Sequence, residues 1–93
     1  MSLRTVSFGS VSLTERALFA KHLAVMLRSG LTVTEALEIA ADAASGTMKY
    51  TEQSVAKSVT AGQPLAQAFA AHPKIFSGLF VQATYAGESS GTL

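Results

Sequence analysis

A chain of 93 residues holds one domain with a modest core. Apolar residues make up 48% and charged residues 14%, below the usual quarter, so the sequence expects an alanine-rich interior, a partner-covered surface, or both. No cysteine, two histidines and a formal net charge of +1 exclude disulfide scaffolds, thiolate metal sites, histidine-built zinc sites and a basic nucleic-acid stripe.

Residues 1–12 read as a flexible lead-in, with Val6, Phe8 and Val11 between small polar residues. Ser12 followed by Glu15 is a capping box and opens a first helix from about Leu13 to Ser29. Its apolar face is Phe19, Leu23, Met26 and Leu27, widened by Leu18, His22 and Val25, and Gly30 ends it. Thr32 and Glu35 form a second capping box. The second helix runs from Val33 to about Ser45, with Val33, Leu37, Ala40 and Ala44 along one side, and Gly46 stops it. A third helix runs from near Thr47 to Gly62. Its apolar positions are sparse, so it reads as the most exposed helix, with Glu52, Gln53 and Lys57 facing water.

Pro64 suits the first turn of a short fourth helix, which His72-Pro73 brings to an end. Leu65, Ala68 and Phe69 point inward, and Ile75 and Phe76 plug the core from a loop. Ser77 caps a fifth helix from about Gly78 to Ser89, with Leu79, Phe80, Ala83 and Tyr85 or Ala86 inside. No stretch alternates with period two long enough for a sheet, and no apolar run is long enough to span a bilayer. The expected fold is all-α, an antiparallel bundle of five helices over residues 13–93.

One segment is written twice. Leu27, Gly30, Val33, Ala36 and Leu37 match Val59, Gly62, Leu65, Ala68 and Phe69 in order. Each copy ends a helix at glycine and starts the next within a few residues, which is a packing device and not a catalytic one.

The ordered blocks carry a family resemblance. They are Met26-Leu27-Arg28-Ser29-Gly30-Leu31, Thr34-Glu35-Ala36-Leu37, Gly62-Gln63-Pro64-Leu65-Ala66-Gln67-Ala68-Phe69, His72-Pro73-Lys74-Ile75-Phe76 and Ala86-Gly87-Glu88-Ser89-Ser90-Gly91-Thr92-Leu93. The set resembles the cytoplasmic F domain of the inner-membrane platform protein of type II secretion systems and type IV pilus assembly machines. The resemblance implies a bundle of about six helices ahead of a transmembrane segment. It implies a place on the cytoplasmic face of the bacterial inner membrane, linking the assembly ATPase and other inner-membrane components to pilin-like subunits. Pro64 stands where the family commonly has a serine or threonine cap. The final helix of the family pattern is absent, so the sequence reads as stopping one helix early, and a homodimer or helix exchange would cover the surface left open.

The structural positions singled out are Ser12, Glu15, Gly30, Thr32, Glu35, Gly62, Pro64, Pro73 and Gly87, as turns and caps. Glu88 has two readings. As a functional group it is a partner contact or an oxygen ligand for a divalent cation. As a structural one it is an exposed acid or one bonded to local backbone. The structural reading is favoured, because a hard-cation site needs several oxygen donors and one acid stands there. Glu38 and Asp42, four apart on one helical face, are candidate partner contacts, with a solvated face as the plainer reading. His22 is expected to be partly buried and hydrogen-bonded, and His72 to cap the fourth helix.

No nucleophile has a visible base and orienter, and no phosphate-binding loop is present, so no cofactor and no enzymatic activity are expected. The expected function is a scaffold acting by protein–protein contact. The other reading is a free-standing helical DNA-binding regulator built on the second and third helices around Gly46. Against it, the would-be recognition helix carries only Lys49 and Lys57, offset by Glu52.

Overall fold

The computed structural model describes residues 11–91. Most of the expected lead-in, with Val6 and Phe8, and the terminal Thr92 and Leu93 lie outside the described residues. Among the described residues five helices follow in order: α1 Leu13–Arg28, α2 Val33–Ala43, α3 Gly46–Thr60, α4 Leu65–Ala70 and α5 Gly78–Ser90. No strand occurs among the described residues, and the fold is all-α. Each helix packs on its neighbours in sequence, α1 on α2, α2 on α3, α3 on α4 and α4 on α5. Short connections produce that order, since they leave consecutive helices side by side.

The helix starts are chemically specified. Ser12 Oγ accepts from the Glu15 N–H at 3.0 Å, and the Glu15 carboxylate accepts from the Ser12 N–H at 3.0 Å. Thr32 and Glu35 repeat this box at 3.1 and 2.9 Å. Each box satisfies two N–H groups that would otherwise have no intrahelical partner.

The repeated segment is a repeated helix end. Gly30 has φ 102° and Gly62 has φ 107°. At the first, the Leu31 N–H reaches the Met26 carbonyl and the Gly30 N–H the Leu27 carbonyl. At the second, the Gln63 N–H reaches Ser58 and the Gly62 N–H reaches Val59. Both are Schellman motifs, closed by a glycine in a backbone region that side chains rarely enter.

The core is one cluster. Phe69, Leu37, Leu65 and Val55 are its largest fully buried side chains. Around Phe69, the rings of Phe19, Phe76 and Phe80 stand 6.0, 4.5 and 5.1 Å away, joining α1, α4, the following loop and α5. Ile75 and Phe76 enter this cluster from the loop. Val11 is also buried in the core, so the last part of the expected flexible lead-in is packed.

Several sequence-based expectations are corrected. Helix α3 is not the most exposed: Met48, Thr51, Glu52, Val55 and Ala56 are buried on one face. Thr51 and Glu52 occupy two inward positions of a helical stripe that apolar residues alone do not reveal. Thr51 satisfies its hydroxyl by donating to the Thr47 carbonyl at 2.8 Å. Leu79 and Tyr85 of α5 are 83% and 62% exposed, while Phe80 and Thr84 face inward. Thr84 escapes an apolar pattern for the same reason, its hydroxyl being spent on the Phe80 carbonyl. Gly46 does not stop α2, which ends at Ala43; it begins α3 with φ 60°. Gly87 is not a cap, because α5 continues to Ser90 and the left-handed residue is Gly91.

A Cβ at Gly30 or Gly62 would meet nothing within 4 Å, so any cost of substitution is in the backbone. Gly30→Val and Gly62→Val are each expected to lower unfolding free energy by about 1–3 kcal/mol in urea titrations. Unchanged midpoints in both would contradict the role of the positive φ.

Candidate functional site

Two carboxylates decide what this chain can do, and their environments differ. Glu88 lies on α5, half-buried. Its oxygens accept from the Leu65 N–H at 2.6 Å and the Ala66 N–H at 3.0 Å. These are the first amides of α4, a helix of six residues whose N-cap, Pro64, makes no side-chain cap bond. Pro64 stands at the N-cap itself, one place before the first-turn position expected of it. In the repeat, Pro64 occupies the place of Thr32, which caps α2 with its own hydroxyl. The second copy therefore lacks a local cap, and an acid 22 and 23 residues away supplies it. A negative charge at a helix N-terminus also suits the helix dipole. Glu88 does bond backbone, as the structural reading held, but the backbone is distant and not local. Both oxygens are occupied by amides. Among the described residues, no group of three His, Asp or Glu could hold a metal.

Glu52 is the opposite case. It is 2% exposed, and one carboxylate oxygen, Oε1, is buried with no hydrogen-bond partner among the described residues. It lies at the floor of a groove of about 530 Å³ formed by α1, α2 and α3. The walls include Leu18, Val25 and Ile39, which are 45%, 45% and 50% exposed. Glu15 and His22 of α1 also line it. Burial pushes the Glu52 carboxyl up from 4.5 to about 7; the Glu15 carboxylate adds to the rise, and Lys49 opposes it. The Lys49 ammonium is held elsewhere, donating to the Ala41 carbonyl at 3.2 Å. There it serves the C-terminal end of α2, where a cation is favoured.

Sequence reasoning put Glu52 in water and missed this site. The signal available was spacing: positions 48, 51, 52, 55 and 56 form an unbroken inward stripe. His22, expected to be partly buried, is exposed on the groove wall. His72 does not cap α4; its Nε2 lies 3.2 Å from Ser54 Oγ on α3, while Ala71 and Pro73 mark the helix end. Glu38 and Asp42 are exposed and share a separate groove with Gln53, Lys57 and Thr60. They do not meet Glu52 or Glu88.

Comparison with known proteins places the chain in a family. Residues 19–93 match the model for type II secretion system protein F. The chain belongs to the type II secretion system protein F family. It is 39% identical over 83 residues to a type IV pilus assembly protein, PilC, of Thermus thermophilus, covering 87% of this chain and 20% of that protein. It is 35% identical over 83 residues to a type II secretion system protein F of Aeromonas hydrophila, covering 88% of this chain and 21% of that protein. A PilC of Myxococcus xanthus is 32% identical over 87 residues, covering 92% of this chain and 21% of that protein. The chain thus spans 20–21% of the length of these curated relatives. The family is a non-enzymatic platform component of type II secretion and type IV pilus machines. No helix among the described residues is long and apolar enough to cross a membrane.

Glu88→Ala removes the cap on α4. It is expected to cost about 1–3 kcal/mol in unfolding free energy and to speed hydrogen exchange at the Leu65 and Ala66 amides. Unchanged exchange at both amides would show that the cap is not formed in solution.

Glu52 makes a pH-dependent contribution of the opposite sign to an ordinary paired carboxylate. The folded chain holds its proton up to about 7, whereas the ordinary value is 4.5. Below 4.5 both folded and unfolded forms are protonated and no ionisation penalty arises. Between 4.5 and 7 the unfolded form ionises first, so stability falls as pH rises, and the penalty levels off above 7. Glu52→Gln removes this term. Its stability relative to the unaltered chain is expected to rise by on the order of 2–3 kcal/mol between pH 5 and pH 8. A difference independent of pH in paired urea titrations would refute the raised value.

Proposed function

We propose that this domain is a cytoplasmic docking module of a secretion or pilus platform protein, coupling the assembly ATPase to the machine by protein–protein contact. Membership of the protein F family supports the platform role. The single observation that carries docking is the groove between α1, α2 and α3, where Leu18, Val25 and Ile39 are gathered at about half exposure. Scattered exposed apolar residues need no explanation, but several lining one concavity mark an interaction surface. The helical framework positions the groove and makes no bond in any reaction. Movement of a bound partner would pass through the packed helices to the chain segments joined to them.

The test uses the purified assembly ATPase of the same machine. Calorimetry is expected to show binding to the unaltered chain and at least a tenfold loss with Leu18→Asp/Ile39→Asp. Both positions are partly exposed, so the variant should keep its circular dichroism spectrum. Absence of ATPase binding to the unaltered chain would overturn the coupling role. Full binding by a folded double variant would move the docking surface elsewhere.

A further inference from the structure

We propose that the groove between α1, α2 and α3 receives a partner helix carrying one basic side chain, lysine or arginine, which pairs with Glu52 while apolar neighbours meet Leu18, Val25 and Ile39. This rests on the reading of the groove as a docking site and adds the chemistry of its occupant.

The shape comes first. Glu15, Leu18, His22, Val25 and Met26 line the groove from α1. That spacing follows one face of α1 for about three turns, roughly 16 Å. A trough of this length walled by α1 on one side and α2 on the other accepts an amphipathic helix, whose anchors recur at the same spacing. The volume of about 530 Å³ has room for several side chains.

The charge comes second. Glu52 is buried, with Oε1 unpartnered among the described residues. Around it, α1 contributes Glu15 and His22, α2 contributes Ile39, Ala40 and Ala43, and the residue that caps α2 is Ala44. On its own helix, Lys49 is committed to the Ala41 carbonyl of α2. The groove therefore presents two carboxylates, and among the described residues no lysine or arginine lines it. A buried carboxylate without a partner is costly, and an incoming ammonium or guanidinium removes that cost while relieving repulsion between Glu15 and Glu52. An acidic or purely apolar helix would leave Oε1 as it is. Discrimination arises because the wrong partner keeps a buried polar atom unsatisfied.

A proton competes with the partner's cation. Because Glu52 holds its proton up to about 7, the cation binds better once that proton is gone. Affinity should rise from pH 6 to pH 8, a dependence that a merely space-filling glutamate would not confer. The Glu52→Gln chain is the control that isolates Glu52 from every other titrating group.

The experiment is selection at pH 8 of a displayed library of amphipathic helical peptides against the full chain. Enriched peptides are expected to share one lysine or arginine flanked at three- or four-residue spacing by leucine, isoleucine or phenylalanine. Synthetic versions should lose at least tenfold in affinity when arginine is replaced by citrulline, its neutral analogue, or when the chain carries Glu52→Gln. Affinity should fall severalfold from pH 8 to pH 6, and less so for Glu52→Gln. The citrulline exchange reads the same contact even if Glu52→Gln fails to fold. No enrichment, enrichment without a shared basic residue, or equal binding of arginine and citrulline peptides would overturn the proposal. So would a dimer of the chain that Ile39→Asp dissociates, since a second copy would then fill the groove. None of these readouts uses the ATPase, so failure here and failure of the coupling role are separate results.

Discussion

The bond from Glu88 to the first amides of α4 is the constraint on which the C-terminal half of this domain depends. A helix of six residues is too short to be stable alone, and its N-cap is a proline without a side-chain acceptor. Yet α4 carries Leu65, Ala66, Ala68 and Phe69, all buried, and Phe69 is the ring that Phe19, Phe76 and Phe80 surround. Placing that ring requires α4 to be helical, and the cap that favours it comes from α5. Cap and core are therefore coupled: α5 must dock for α4 to form, and Phe69 must be placed for α5 to find Phe80 a neighbour.

Glu52 shows the same side chain in the opposite condition. Where Glu88 spends both oxygens on backbone amides, Glu52 leaves one buried oxygen without a donor. Stability alone does not favour such a group, because a neutral residue of similar size would fill the space without an ionisation penalty. Its position at the floor of the groove gives it a use in the proposed docking, since among mostly apolar and small neighbours it offers a cation an unpaired oxygen. The cost in the folded chain and the gain in recognition come from one feature, the absence of a local donor.

Much of the fold is legible in the residues. The two capping boxes and the paired glycine ends follow from local chemistry, because each is decided by residues within about one turn of one another, and the loop residues Ile75 and Phe76 are legible as apolar side chains just past a proline. The repeat is legible too, and the structure gives its meaning as the same Schellman closure made twice. What was not legible is non-local. Nothing near Pro64 says that an acid 23 residues beyond Leu65 will cap the helix that starts there. The inward face of α3 is hidden because Thr51 and Glu52 sit in it, one self-satisfied and one not. On α5, Leu79 and Tyr85 look more apolar than Thr84, but the packing against α4 selects the face containing Phe80 and Thr84. The groove is missed for the same reason as Glu52, since a charge at an inward position reads as solvent-facing until the partner helices are in place.

The most direct measurement is a carbon-13 NMR titration of the Glu52 side-chain carboxyl in the full chain. A midpoint near 7 is expected, from burial reinforced by Glu15. A midpoint at the ordinary value of 4.5 would mean that Glu52 is hydrated or paired in solution, and the groove would then have no unmet charge to offer a partner.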